Sequence, residues 1–161
     1  MSKRDPLSFA VTLDVRDTCL CLHLQRAARV LARAFDDALR PLGLTNGQFS
    51  LLMSLNRPTP ARPAEIAELL AMDRTTLIAN VKPLERRGLV AVTVDAGDQR
   101  GRLLALTSAG RALLAAAVPV WQRLHATAEQ RLARPEAFRA GLDAMVALEI
   151  PPARRRRAAS G

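Results

Sequence analysis

Residues 72–106 read MDRTTLIANVKPLERRGLVAVTVDAGDQRGRLLAL, and within them the hydrophobic period changes from about 3.6 to about 2. Leu77, Val81 and Leu84 have the one-face spacing of a helix, with Asp73 placed to cap its start and Gly88 to end it. Beyond Gly88, the alternation of Leu89, Ala91 and Val94 is strand-like. Residues 95–101 are turn formers, and residues 102–106 are expected to pair back as the second strand of a hairpin. The centre of the chain is therefore a helix running into a hairpin with a polar, basic tip.

Upstream, Pro63 suits the first position of a short helix over residues 64–71, with Ile66, Leu69 and Leu70 facing inward, and Met72-Asp73 breaks it. Two short helices, a tight turn and a hairpin make a winged helix-turn-helix. Thr45 and Gln48 form a capping box for a preceding helix that carries Phe49, Leu52, Met53 and Leu55. Before it, a long helix from Asp17 or Thr18 places Leu20, Leu24, Ala27, Leu31, Phe35, Ala38 and Leu42 along one side, and Pro41 and Gly43 end it. Downstream, Thr107 or Ser108 caps a long helix that reaches about Leu132 and is kinked by Pro119. Pro135 starts a last helix with Phe138, Leu142, Met145 and Val146 on one side. The predicted fold is mainly α with a small β-hairpin wing. Residues 1–16 form an N-terminal arm, 17–44 and 107–150 dimerisation helices, 45–106 the winged helix-turn-helix, and 151–161 a basic, disordered tail.

Composition narrows the class of partner. The chain has 161 residues, 49% hydrophobic but only 3% aromatic, and a formal net charge of +9. Such a charge points to a polyanion, nucleic acid ahead of a membrane surface, although an Arg-rich composition alone gives the same count. Cys19 and Cys21 are two apart on a helix and diverge by about 200°, so they do not bridge each other. No disulfide framework exists, which fits a reducing, cytoplasmic setting. No apolar run follows Lys3 and Arg4, so no signal peptide is expected, and the uncharged stretch 112–122 is too short to span a bilayer. An enzyme is disfavoured: the chain has no Gly-rich phosphate loop, no nucleophile elbow, and histidines only at positions 23 and 125. No cofactor is expected. Cys19 and His23 share a helix face, but two ligands are too few for a metal site.

The second helix of the pair is shaped to enter the major groove. Its first turn offers Arg74, Thr75 and Thr76, and the next offers Ala79 and Lys82. Arg74 has the fork to grip guanine. Gln99, Arg100 and Arg102 at the hairpin tip can reach phosphates or a neighbouring minor groove, although Arg102 equally suits a solvated strand. Asp98 is expected to pair with an arginine and hold it in position. The run Arg154, Arg155, Arg156, Arg157 reads as a non-specific electrostatic anchor. A winged helix used only for protein interaction is the rival from another class.

Pro41-Leu42-Gly43-Leu44-Thr45, Met72-Asp73-Arg74-Thr75-Thr76-Leu77, Leu84-Glu85-Arg86-Arg87-Gly88-Leu89-Val90 and Asp98-Gln99-Arg100-Gly101 leading to Leu106-Thr107 resemble the MarR (multiple antibiotic resistance regulator) family over about residues 17–150. The resemblance implies a triangular homodimer that represses a promoter until a small molecule or an oxidant releases it. A two-fold dimer would bind a pseudo-palindrome of double-stranded DNA. Apolar surface beyond what a small winged domain can cover points to the same dimer. The chain departs from the family at Ile78 and Ala79, where polar residues are usual, at Pro83 inside the helix, and at Gln99, where a cation is usual. The resemblance also implies a small apolar or aromatic effector lined by Leu24, Phe35, Phe49, Met53 and Trp121, with Arg26 or Arg29 for an acid group. Cys21 stands where oxidant sensors of the family carry a reactive thiol. Gln25 and Phe35 replace the activating tyrosines, which predicts a buried, slow thiol without a donor and leaves redox sensing as the alternative switch.

Overall fold

The computed structural model describes residues 7–148. Helix α1 (Phe9–Thr18) and helix α2 (Leu20–Leu39) are separated by a single extended residue, Cys19, whose sulfur accepts the Leu22 amide at 3.4 Å and caps α2. The predicted arm is thus helical from Phe9, and the long helix begins at Leu20 rather than Asp17. Alternating apolar residues at Phe9, Val11, Leu13 and Val15 conceal the helix in the sequence, and none of its residues is buried. A 3-10 turn (Arg40–Leu42) and left-handed Gly43 (φ 65°) close α2.

Helix α3 (Asn46–Ser54) opens on the predicted capping box, with Gln48 N donating to Thr45 Oγ1 and Thr45 N to Gln48 Oε1, each at 3.2 Å. Asp36 of α2 also accepts the Asn46 amide at 2.6 Å, so the two helices are tied at the junction. Helix α4 (Pro63–Leu69) and helix α5 (Arg74–Arg86) form the helix-turn-helix. Their turn places Ala71 at φ 50°, a left-handed conformation that a side chain rarely adopts. Pro63, Ile66 and Ala67 of α4 are buried, while Leu69, predicted inward, is 67% exposed. At about 100° per residue, Leu69 lies roughly 110° from the centre of the stripe made by positions 63, 66, 67 and 70.

The wing consists of strands β1 (Val90–Asp95) and β2 (Asp98–Leu106), paired antiparallel from Val90 opposite Leu106 to Val94 opposite Arg102. The chain reverses tightly between Asp95 and Asp98, and the register slips between Val94 and Asp95. Residues 99–101 are therefore extra length on β2 rather than part of a seven-residue turn. Ala61, just before α4, pairs with Leu104 through bonds of 2.9 and 2.8 Å and adds a third strand position to the sheet.

Helix α6 (Ser108–Glu129) starts where Thr107 donates to the Gly88 carbonyl at 2.7 Å and accepts the Gly110 amide at 3.0 Å. Gly110 is required there, because an added Cβ would lie 2.1 Å from the Leu89 carbonyl oxygen. The core gathers Leu39, Leu52, Ile66, Leu77, Leu84 and Leu104, each at most 1% exposed, with Leu114 and Ala117 of α6 packed among them. Each buried leucine contributes about 1.5–3 kcal/mol. This first compact unit ends at Leu124. A second starts at His125 and holds helix α7 (Pro135–Val146), where Arg139 pairs with Glu129. Among the described residues no helix is long and apolar enough to cross a membrane. The predicted basic tail, residues 151–161, lies outside the described residues.

Candidate nucleic-acid interface

Three apolar residues fix which side of α5 faces outward. Leu77, Val81 and Leu84 are at most 3% exposed, and this anchoring turns Arg74, Thr75, Ala79 and Lys82 to solvent. Those four residues, with Ile78, line one concave strip of about 360 Å³ along the helix. Ile78, which is not among the residues expected from the sequence to touch DNA, joins them here. Its half-burial at i+4 from Arg74 marks it as the apolar floor between two cations.

Thr76 belongs to the cap rather than to the strip. Asp73 Oδ1 accepts the Thr76 amide at 2.8 Å, and the Thr76 hydroxyl donates to Asp73 Oδ2 at 2.5 Å. Its proton is therefore committed within the protein. These bonds, the hydroxyl first, hold the Asp73 carboxyl below the usual carboxylate range.

On the wing, Gln99, Arg100 and Arg102 are all exposed. Arg102 curls back, donating to the Gly101 carbonyl at 3.0 Å and the Gln99 carbonyl at 3.3 Å, whereas Arg100 donates its backbone amide to Asp98 Oδ1 at 3.0 Å. None of Arg74, Lys82 and Arg100 has an ion-pair partner among the described residues. Asp98 pairs with no arginine side chain among the described residues; its Oδ1 accepts the Arg100 amide, and it acts on Arg62 only through its charge. The arginine partner is Asp95, whose Oδ2 accepts Arg62 Nη2 at 2.8 Å and Nε at 3.2 Å. The Gly97 amide, then Arg62, depress the Asp95 pKa, and Asp95 in turn raises that of Arg62. The two residues are 33 apart in the chain, so no local pattern announces the pair.

A second cavity, of about 470 Å³, is lined by Phe49, Ser50, Met53, Ser54, Leu69, Leu70, Val118 and Trp121. Phe49 and Trp121 stack there with ring centroids 6.2 Å apart and planes 19° off parallel. Of the predicted effector residues, Phe49, Met53 and Trp121 come together. Leu24, Arg26 and Phe35 do not line the cavity: all three lie on α2, where Phe35 is buried and Arg26 borders a separate shallow surface with His23 and Val30. Arg29 donates instead to Gln25 at 3.1 Å. Cys21 departs from expectation, since it is exposed and accepts the Gln25 amide at 3.2 Å. Among the described residues no three metal-ligating side chains cluster.

This arrangement has known counterparts. The sequence model of the MarR family matches residues 42–101. The chain is 35% identical over 95 residues to the transcriptional activatory protein BadR of Rhodopseudomonas palustris, covering 57% of this chain and 54% of BadR. It spans about half the length of the curated relatives it matches. Among solved structures, the DNA complex of the M. tuberculosis transcriptional regulator MosR superposes with a TM-score of 0.75 at 37% identity, over 80% of this chain and 94% of that one. Bordetella bronchiseptica BpsR, whose DNA binding is regulated by 6-hydroxynicotinic acid, superposes with a TM-score of 0.74 at 26% identity, over 82% and 96%.

Proposed function

The chain belongs to the MarR family, and we therefore propose that it is a sequence-specific regulator of transcription that binds double-stranded DNA. It works in the cytoplasm as a homodimer on a pseudo-palindromic operator, as a repressor that a small effector releases. The observation that carries this reading is the outward strip of α5. Two cations without an ion-pair partner among the described residues, Arg74 and Lys82, flank an apolar floor beside a wing that presents Arg100. Base edges and phosphates supply the missing acceptors.

The effector is flat and uncharged. The cavity lining holds aromatic and aliphatic side chains and two serines but no Lys, Arg, Asp or Glu, so a bare carboxylate entering it has no cation to meet. Selecting duplexes from a random pool and measuring affinity between about 50 and 200 mM salt tests the DNA reading. A steep fall with salt on a selected palindrome is expected, and salt-independent or absent binding overturns it. Neutral bicyclic aromatics screened against the bound complex test the effector, and replacing Trp121 by Ala should abolish their effect.

A second reading is favoured by one observation: the exposed Cys21 sulfur with its Gln25 donor. An oxidant-released regulator would lose its response to organic hydroperoxide in Cys21→Ser, and the effector reading predicts no change.

A further inference from the structure

We propose that Arg62 and Asp95 form a latch that sets the pose of the wing against the helix-turn-helix, so that both are positioning residues for DNA binding. The inference rests on the DNA-binding reading above. A two-stranded ribbon is marginally stable by itself; Val90, Leu104 and Leu106 seat the inner half of this one in the core, and two polar contacts tie it to the segment that opens α4. One is the main-chain bridge between Ala61 and Leu104. Beyond that bridge the ribbon runs outward to Arg100, and the side-chain contact that reaches this outer half comes from Arg62, the very next residue after Ala61. Arg62 is also the residue that leads into α4, where its amide is held by Glu65 Oε1 at 3.4 Å. The start of the helix-turn-helix and the tip of the wing are therefore gripped by one residue.

The chemistry of Asp95 supports the same role. Both of its oxygens are used: Oδ2 by the Arg62 guanidinium and Oδ1 by the Gly97 amide at 2.9 Å, which shapes the reversal. Its side chain is 13% exposed against 61% for Arg62, so the carboxylate is shielded while the guanidinium covers it. Gly101 of the bulge packs against it, since an added Cβ would lie 3.1 Å from Asp95 Cβ. A carboxylate beside a phosphate-binding tip opposes binding by charge alone. Its presence is accounted for by what it holds.

For Asp95, electrostatics and the latch predict opposite signs. Asp95→Asn removes a negative charge from the DNA-facing side, and a purely electrostatic role gives equal or tighter binding. The latch instead gives binding about tenfold weaker to a duplex selected by the wild-type protein. Hydroxyl-radical footprinting should show protection lost at the outer, wing-contacted positions and kept at the centre. Because Asp95 also shapes the turn, Arg62→Gln is made alongside, which leaves the Gly97 bond intact. It should lose the same outer protection, and the double variant should bind no more weakly than Asp95→Asn. Unchanged or tighter binding by Asp95→Asn, an unaltered footprint in Arg62→Gln, or additive losses in the pair each overturn the latch. Absence of salt-dependent binding by the wild-type protein overturns the DNA reading itself, and the latch with it.

Discussion

Arg74 and Arg102 carry the same charge in different roles. Arg74 stands in the first turn of α5 over the apolar floor made by Ile78, and Arg102 is folded back on wing carbonyls. Arg74→Ala should flatten the preference among duplexes, removing roughly 1–3 kcal/mol of discrimination at one base pair. Arg102→Ala should weaken binding to all sequences alike, and competition titrations across a panel of single-base operator variants separate the two outcomes. Asp73 makes a prediction about stability. Its folded pKa lies below the ordinary 3.8, so its contribution is fully present above that value and is lost as the pH falls through the folded value. The melting temperature should hold from about pH 7 to about pH 5 and fall below about pH 4. Asp73→Asn, which still caps the helix, should flatten part of that fall, whereas Asp73→Ala should lower the melting temperature already at neutral pH.

Most of the elements were legible because their boundaries are written in local chemistry. The Thr45 and Gln48 box, Pro63, the Asp73 cap and Gly88 at φ 68° each act within one turn of helix, and each stands where its residue type predicts. What stayed hidden depends on distance or on register. The Cys19 break in the N-terminal helices needs a sulfur cap that no helix-start pattern includes, and the β2 bulge needs knowledge of the pairing across the hairpin. Leu69 looks inward on a count of apolar residues but belongs to a cavity wall. At two junctions between elements a single substitution tests the backbone. Gly110→Ala forces a methyl into the Leu89 carbonyl and should cost about 1–3 kcal/mol, despite the better helix propensity of alanine. At Ala71 the left-handed backbone costs about 1–2 kcal/mol for any side chain. Ala71→Gly should therefore melt at or slightly above the wild-type temperature and Ala71→Val clearly below it, as read by calorimetry.

At the scale of the whole molecule, the apolar side chains left in solvent are the informative ones. Phe9 of α1 is 73% exposed, Leu20 and Val30 of α2 are 66% and 59%, and Val146 of α7 is 71%. These helices flank the winged domain in sequence, and a second copy of the chain is the partner proposed for them. Sedimentation should find a species of about twice the chain mass, with a melting temperature that rises with protein concentration. Leu20→Glu combined with Val146→Glu should shift that species to monomer and weaken operator binding together, while leaving the winged domain folded by circular dichroism. A monomer in the wild-type protein at micromolar concentration would count against the assembly.

Three residues separate Leu70, on the wall of the aromatic cavity, from Arg74 at the head of α5. An effector in that space, as proposed, would bear on the head of α5 through this short turn, which holds Ala71 at φ 50°, instead of through a long relay. On that proposal the displacement follows the bulk of the ligand. Congeners of increasing width should loosen the operator by degrees, each added ring displacing more of the bound fraction at saturation, in the manner of a dimmer rather than a toggle.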